Sequence, residues 1–258
     1  MTGIRYDVRG SIAILTLDDP ERLNALDWEK VRAIDETLER VLNMPDVRAI
    51  VLTGAGKGFC AGARFDPAVF AAGAEVGDAM RQTVSPLIEK MRAAPIPIVV
   101  AVNGPAAGAG CGIALAGDIV VAARSAKFVL SFAKLGAVLD GGTSLFFQRA
   151  IGATRARALA LTGEALSAAT AAEWGLIWKC VDDEMLFDEA MAIAEALAAG
   201  PPLAIAMIKR QLEDAWAAPL AATLDLEATL QTRAFVSDDL REGATAYIER
   251  RKPVFRGR

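Results

Sequence analysis

The stretch Val99–Asp118, VVAVNGPAAGAGCGIALAGD, constrains the chain more than any other. An apolar run, Ile98–Val102, leads into a turn of small residues, Asn103-Gly104-Pro105-Ala106-Ala107-Gly108-Ala109-Gly110. A tightly packed helix, Cys111 to Ala116, then precedes a second apolar run, Ile119–Ala123. A buried strand feeding such a turn and a helix N-terminus leaves backbone N–H groups without intrahelical partners, where negative charge is favoured. With so few side chains in the way, a ligand can approach the main chain closely. Taken alone, the stretch reads first as a close helix–strand packing turn. A second turn of the same kind upstream, Gly54-Ala55-Gly56-Lys57-Gly58-Phe59-Cys60-Ala61-Gly62-Ala63, shifts the balance towards a binding site.

What chemistry such a site can perform is limited by a count of zero: the chain has no histidine. Ser-His-Asp and Cys-His nucleophilic systems are excluded, and a zinc site is disfavoured. Acid–base work falls to carboxylates, lysine, tyrosine, cysteine or the backbone. The 258 residues, 53% hydrophobic with a net charge of −4, describe one large soluble domain, or one domain with an appendage. No basic excess points to nucleic acid, and no apolar run approaches the roughly 18 residues of a membrane span. The first ten residues do not resemble a signal peptide. Cys60, Cys111 and Cys180 have neither disulfide nor metal spacing, so a reducing cytoplasm and no bound metal are expected.

Taken in order, Ile4–Val8 and Ser11–Leu17 predict a hairpin across Arg9-Gly10. Asp27 caps a helix running to about Asn43, with Val31, Ile34, Leu38, Val41 and Leu42 on one face. Val47–Leu52 is a buried strand, and a single helix is expected from Val76 to Met91 before the strand Ile98–Val102. Short strands follow at Ile119–Ala123, Lys127–Val129 and Ile177–Val181, with helices at Leu145–Ile151, Arg155–Leu161 and Ala168–Trp174. From Met185 onward the pattern is helical: Met185–Ala199, Pro201–Ala215, Ala221–Phe235 and Asp239–Arg250. The class is α/β with a C-terminal helical section.

Several of these segments together resemble the crotonase, or enoyl-CoA hydratase/isomerase, superfamily over essentially the whole chain. They are RLNAL (22–26), GKGFCAGA (56–63), AVNGPAAGAG (101–110), GD (117–118), SAKF (125–128), LG (135–136) and EGATAYIERRKPVF (242–255). The resemblance implies a spiral of ββα units over residues 1–200 and a helical trimerisation region over 201–258. It also implies a homotrimer or homohexamer and an acyl-CoA thioester substrate, with no cofactor beyond the CoA moiety itself. Two backbone N–H groups, of Ala63 and Ala109, would hold the enolate-like thioester oxygen. Arg22, Leu23, Ala25 and the Ala61 backbone match the family's CoA pocket, and Arg250 matches a basic residue that reaches CoA, sometimes from a neighbouring subunit.

At the two positions where hydratases of the family carry glutamates, this chain has Gly112 and Phe132, neither of which can move a proton. One carboxylate remains in the right region, Asp140, where isomerases of the family place a lone acidic base. Read from the residues alone, Asp140 is equally a cap for the helix that follows it. The stretches VNGPAAGAG, GDIVVAARSAKFV, SFAKLG, DGGTSL and EWGLIWKCVDD look most like ring-epoxide isomerases of phenylacetyl-CoA. The expectation is therefore an acyl-CoA isomerase with Asp140 as acid–base. A 2-enoyl-CoA hydratase and a non-catalytic acyl-CoA-binding subunit are the alternatives. Arg64 replaces the family's aspartate; it is expected at the surface, pairing with Asp66, or reaching a CoA phosphate. Phe70, Phe132 and Phe146 are candidate acyl-pocket or core residues, Cys60 and Cys111 core fillers, and Trp174 and Trp178 are expected to pack body against tail.

Overall fold

The computed structural model describes residues 3–64 and 75–258. Strands β1 (Ile4–Arg9) and β2 (Ile12–Leu17) form the expected antiparallel hairpin, in register from Ile4 opposite Leu17 to Arg9 opposite Ile12. From β2 inward every pairing is parallel, through β3 (Ala49–Gly54), β4 (Ile98–Val102), β6 (Ile119–Ala123) and the edge strand β9 (Lys179–Val181). All residues of β2 and β4 are buried, as parallel strands covered on both faces require. That double burial is why β4 reads as an unbroken apolar run, and why β2, whose sequence pattern suggested alternation, is buried throughout, Thr16 included.

A second, small sheet is built from β5 (Ala106–Ala107), β7 (Lys127–Val129) and β8 (Ala165–Ser167), and a bridge from Cys60 to Ala106 extends it. The chain leaves a strand in the large sheet, crosses through a short one in the small sheet, and returns by a helix. Helix α4 (Ala109–Leu115) closes one such turn after β4 and β5, and α5 (Thr143–Thr162) closes the next after β6 and β7. This is the ββα winding that the resemblance implied.

Helix α1 (Trp28–Leu42) starts where the carboxylate of Asp27 accepts the Lys30 N–H at 2.8 Å, and it buries Val31, Ile34, Leu38 and Val41. The single helix expected from Val76 is in fact two, α2 (Val76–Gln82) and α3 (Val84–Ala93), parted at Thr83 (φ −132°, ψ −70°). Pro86 is the cause: it has no N–H, and its ring would clash with the Gln82 carbonyl four residues back in a continuous helix. Within α5 the two expected helices meet at Gly152, whose φ of 79° and ψ of 160° turn the chain between them.

Beyond α6 (Ala168–Glu173), α7 (Leu186–Ala198) lies across β3, β4 and β6. Helices α8 (Pro202–Ala215), α9 (Leu220–Phe235) and α10 (Asp238–Glu249) complete the tail within about two residues of the expected limits. The tail is tied to the body by half-buried charge. Lys209 Nζ donates to Asp118 Oδ2 at 2.6 Å and to the Ile96 carbonyl at 2.9 Å, while Arg92 pairs with Glu213 at 2.6 Å. Trp174 packs on the core under the Arg155 guanidinium, a contact within the body rather than the body-to-tail contact expected of it. Trp178 does not: it is 73% exposed, because it enters the edge strand with its side chain turned outward.

Candidate active site

The two glycine-rich turns meet. Residues 60–64 are held between neighbours on both sides, with Ala61 N–H donating to the Leu23 carbonyl at 2.9 Å and Ala107 N–H to the Cys60 carbonyl at 2.9 Å. Ala63 forms a parallel bridge with Leu26, in which Leu26 N–H donates to Gly62 O at 2.7 Å and Arg64 N–H to Leu26 O at 2.6 Å. Alternation along an extended segment therefore turns the N–H of Ala63 away from Leu26. Ala109 is the first residue of α4, so its N–H has no carbonyl four residues back to bond. Among the described residues neither N–H has a backbone acceptor. Gly62 (φ 82°) permits the contact between the turns, since a Cβ there would lie 2.6 Å from the Ala107 oxygen and 3.5 Å from the Ala109 nitrogen.

Both alanines line a cavity of about 220 Å³, walled mainly by apolar side chains that include Trp28, Val31, Met80, Val84 and Phe132. Asp140 lines it too. The capping role left open by the sequence is not what the carboxylate does: Gly142 is the N-cap of α5, and Thr143 bonds the Asp140 main-chain carbonyl through its N–H (3.0 Å) and Oγ1 (2.7 Å). The Asp140 side chain is left over. Its Oδ1 is buried with no hydrogen-bond partner among the described residues, and desolvation pushes the carboxyl from the ordinary 3.8 up to about 6. The turn that carries it rests on α4, because a Cβ at Gly141 would lie only 3.6 Å from the Cα of Ala109. Three of the expected residues, Ala63, Ala109 and Asp140, thus share one apolar chamber.

The other expected residues distribute unevenly. Ala61 lines the same cavity, whereas Arg22 lines a larger outer groove of about 800 Å³ and pairs with Asp19 at 3.6 Å. Leu23 and Ala25 shape the loop between them, Leu23 in the left-handed region (φ 50°) and Ala25 through its carbonyl, which accepts from Lys30 Nζ. Arg250 caps the end of α10 and reaches neither cavity within this chain. Arg64 pairs with Asp27 at 3.5 Å, and both residues line the groove as well as the cavity. Asp66 and Phe70 lie outside the described residues. Phe132 faces the chamber, but Phe146 stands beside Arg92 and Trp216 at a different cleft. The thiols of Cys60 and Cys111 are buried, pushed up to about 11 and about 12 by desolvation, and are fillers rather than nucleophiles.

Two asparagines that the sequence left without a role hold the first turn in place. Asn24 is completely buried in the left-handed region (φ 57°). Its Nδ2 donates to the carbonyls of Ala55 (3.0 Å), Gly58 (2.8 Å) and Phe59 (3.1 Å), and its Oδ1 accepts the Asp19 N–H at 2.8 Å. Asn103 accepts the Gly54 N–H at 3.0 Å and donates to the Gly56 carbonyl at 3.0 Å. Beneath them Lys30 is buried against Asp19 (2.7 Å), and that ammonium holds the Asp19 carboxyl below its ordinary value. The sequence signal was an asparagine in the RLNAL loop and another at the head of the 103–110 turn, at positions where its side chain can replace backbone partners.

Comparison with known proteins identifies the family to which the chain belongs. Residues 7–258 match the model of a family described as enoyl-CoA hydratase/isomerase. The chain is 42% identical to the 1,2-epoxyphenylacetyl-CoA isomerase of Escherichia coli K12, with all of both chains covered. It is 35% identical to the enoyl-CoA hydratase EchA19 of Mycobacterium tuberculosis, covering 97% of this chain and 95% of that one. A crystal structure of an enoyl-CoA hydratase from Polaromonas sp. JS666 superposes with a TM-score of 0.92 at 35% identity, covering 98% of this chain and 99% of the other. Two backbone-donor turns meeting over one apolar chamber, in a chain matched along nearly its entire length, make this protein a member of the enoyl-CoA hydratase/isomerase family, within the crotonase superfamily.

Proposed function

We propose that the protein is an acyl-CoA isomerase that moves a double bond from 3-enoyl-CoA to 2-enoyl-CoA, isomerises ring-1,2-epoxyphenylacetyl-CoA, or does both. The observation that carries this reading is the unpartnered Asp140 carboxylate in the chamber, with Gly112 and Phe132 at the positions where a hydratase needs its glutamates. Two acids are needed to deliver a water; one suffices to take a proton from C2 and return it to C4. In this mechanism the thioester oxygen becomes a dienolate oxygen held by the Ala63 and Ala109 N–H groups. Each preorganised donor of that kind is worth about 2.7–4 kcal/mol. Burial makes Asp140 a stronger base than an ordinary carboxylate, so its acidity is better matched to work near neutrality. The CoA moiety lies along Arg22, Leu23, Ala25 and Ala61, with Arg250 reaching it from a neighbouring copy in a homotrimer or homohexamer.

The test follows the ultraviolet absorbance of the conjugated 2-enoyl thioester formed from a 3-enoyl-CoA, beside a 2-enoyl-CoA hydration control. Isomerisation without comparable hydration supports the reading, and hydration alone overturns it in favour of a hydratase. Binding without turnover of either enoyl substrate or the ring epoxide overturns it in favour of an acyl-CoA-binding subunit. The pH dependence is specified as well. A base acts deprotonated, and Asp140 titrates at about 6, so kcat/KM is flat above that value and falls as pH drops through it. The limiting fall is tenfold per pH unit. A profile controlled by an ordinary carboxyl would hold its plateau to about pH 4.

A further inference from the structure

Helix α4 and the turn that carries Asp140 meet backbone to backbone at Gly112, with no side chain between them. Gly112 is fully buried on α4, and a Cβ placed on it would run into the Gly141 carbonyl oxygen, with the carbonyl carbon at 2.9 Å and the Cα at 3.1 Å. These are backbone atoms of a turn whose two glycines both have positive φ, 56° and 80°, so the obstacle is not the end of a flexible side chain that could swing aside. On its other side the turn is fastened by Thr143, through two bonds to the Asp140 carbonyl. The turn is therefore held between a bare patch of helix and a threonine, and Asp140 is the residue that this holds over the cavity.

We propose that Gly112 is a positioning residue: by carrying no side chain it lets the Asp140–Gly142 turn seat against α4, and that seat sets both the reach and the burial of the Asp140 carboxylate. The inference rests on the reading of Asp140 as the acid–base group and deepens it. Any side chain at 112 lifts the turn outward, which lengthens the distance from carboxylate to substrate and lets water reach Oδ1. Both effects weaken the base, and neither alters the apolar walls that bind the acyl chain. Asp140→Glu, whose longer side chain overreaches in the wild-type seat, fits the lifted one better.

The test is a set of four variants assayed for 3-enoyl-CoA isomerisation: Asp140→Asn, Gly112→Ala, Thr143→Val and the double variant Gly112→Ala/Asp140→Glu. Gly112→Ala is expected to lower kcat at least tenfold with KM within threefold of wild type. Its pH midpoint should move down from about 6 towards the ordinary carboxyl value. Thr143→Val loosens the same turn without placing anything on α4, so it is expected to shift kcat and the midpoint in the same directions, and it stands as the test should Gly112→Ala not fold. The double variant should be more active than Gly112→Ala, a rescue that a general loss of stability would not produce. Wild-type kcat and an unmoved midpoint in either Gly112→Ala or Thr143→Val, with Asp140→Asn inactive, would overturn the inference alone. An active Asp140→Asn would instead overturn the reading beneath it.

Discussion

Asp140→Asn lowers kcat for 3-enoyl-CoA isomerisation by roughly 10³-fold and at the same time makes the protein harder to unfold at neutral pH. The loss follows from the chemistry: a positioned acid–base group contributes about 10²–10⁴-fold, and the amide can neither take nor return a proton. The gain follows from burial. The folded carboxyl keeps its proton up to about pH 6, whereas the unfolded one releases it near the ordinary 3.8. Ionisation consequently favours the unfolded chain, so the contribution of Asp140 to native stability is greatest below about pH 4 and is lost as pH rises through 6. A neutral amide of the same shape avoids this, a difference on the order of 3 kcal/mol at pH 7.5. Urea denaturation of both proteins at pH 7.5 and near pH 4, beside the absorbance assay, reads the two effects together. The variant should be the more stable at pH 7.5, and the gap should close towards pH 4. Equal stability at both pH values would mean that the carboxylate is not desolvated.

Asn24→Ala is expected to cost about 3–5 kcal/mol of stability. The side chain is completely buried, and its removal takes a side-chain hydrogen bond from the Ala55 and Phe59 carbonyls and the Asp19 N–H, and leaves the Gly58 carbonyl with Asn103 Nδ2 at 3.3 Å. Stranding a buried polar group costs about 1–3 kcal/mol, and an alanine held at φ 57° adds about 1–2 kcal/mol of backbone strain. Asn24→Gly removes the same hydrogen bonds but relieves the strain, so it should recover about 1 kcal/mol relative to the alanine. Asn24→Asp should be worse than glycine, because it turns an acceptor towards three carbonyl oxygens. Chemical denaturation of the three variants ranks them directly. An alanine variant within 1 kcal/mol of wild type would show that the loop at 55–59 does not depend on Asn24.

Much of this architecture was legible because burial leaves a strong pattern. Strands covered on both faces appear as apolar runs such as Ile98–Val102, and Asp27 announces the start of α1 by its type and position. The two-residue strand β5 left no trace, since two alanines in a small-residue turn carry no periodicity. The break at Thr83 was missed because apolar spacing continues across it, although Pro86 held the information. At the candidate site, the glycine-rich turns and Asp140 could be picked out from residue type. Which oxygen of Asp140 accepts from Thr143 could not, because main-chain carbonyl and carboxylate belong to one residue and only the fold decides between them. Asn24 escaped for a related reason: its four partners are backbone atoms, and backbone atoms have no letter in a sequence.

That last property also bears on how this protein can diverge. The donors proposed to hold the thioester oxygen, at Ala63 and Ala109, are main-chain N–H groups, fixed by a bridge to Leu26 and by the start of α4. Apart from proline, no amino-acid exchange at either position removes the N–H. The electrophilic half of the site is inherited with the winding of the chain, whereas the proton-handling half rests on a single letter on a turn. Descendants of such a chain can change the reaction by relocating one acid, and keep the means of binding a thioester while they do so.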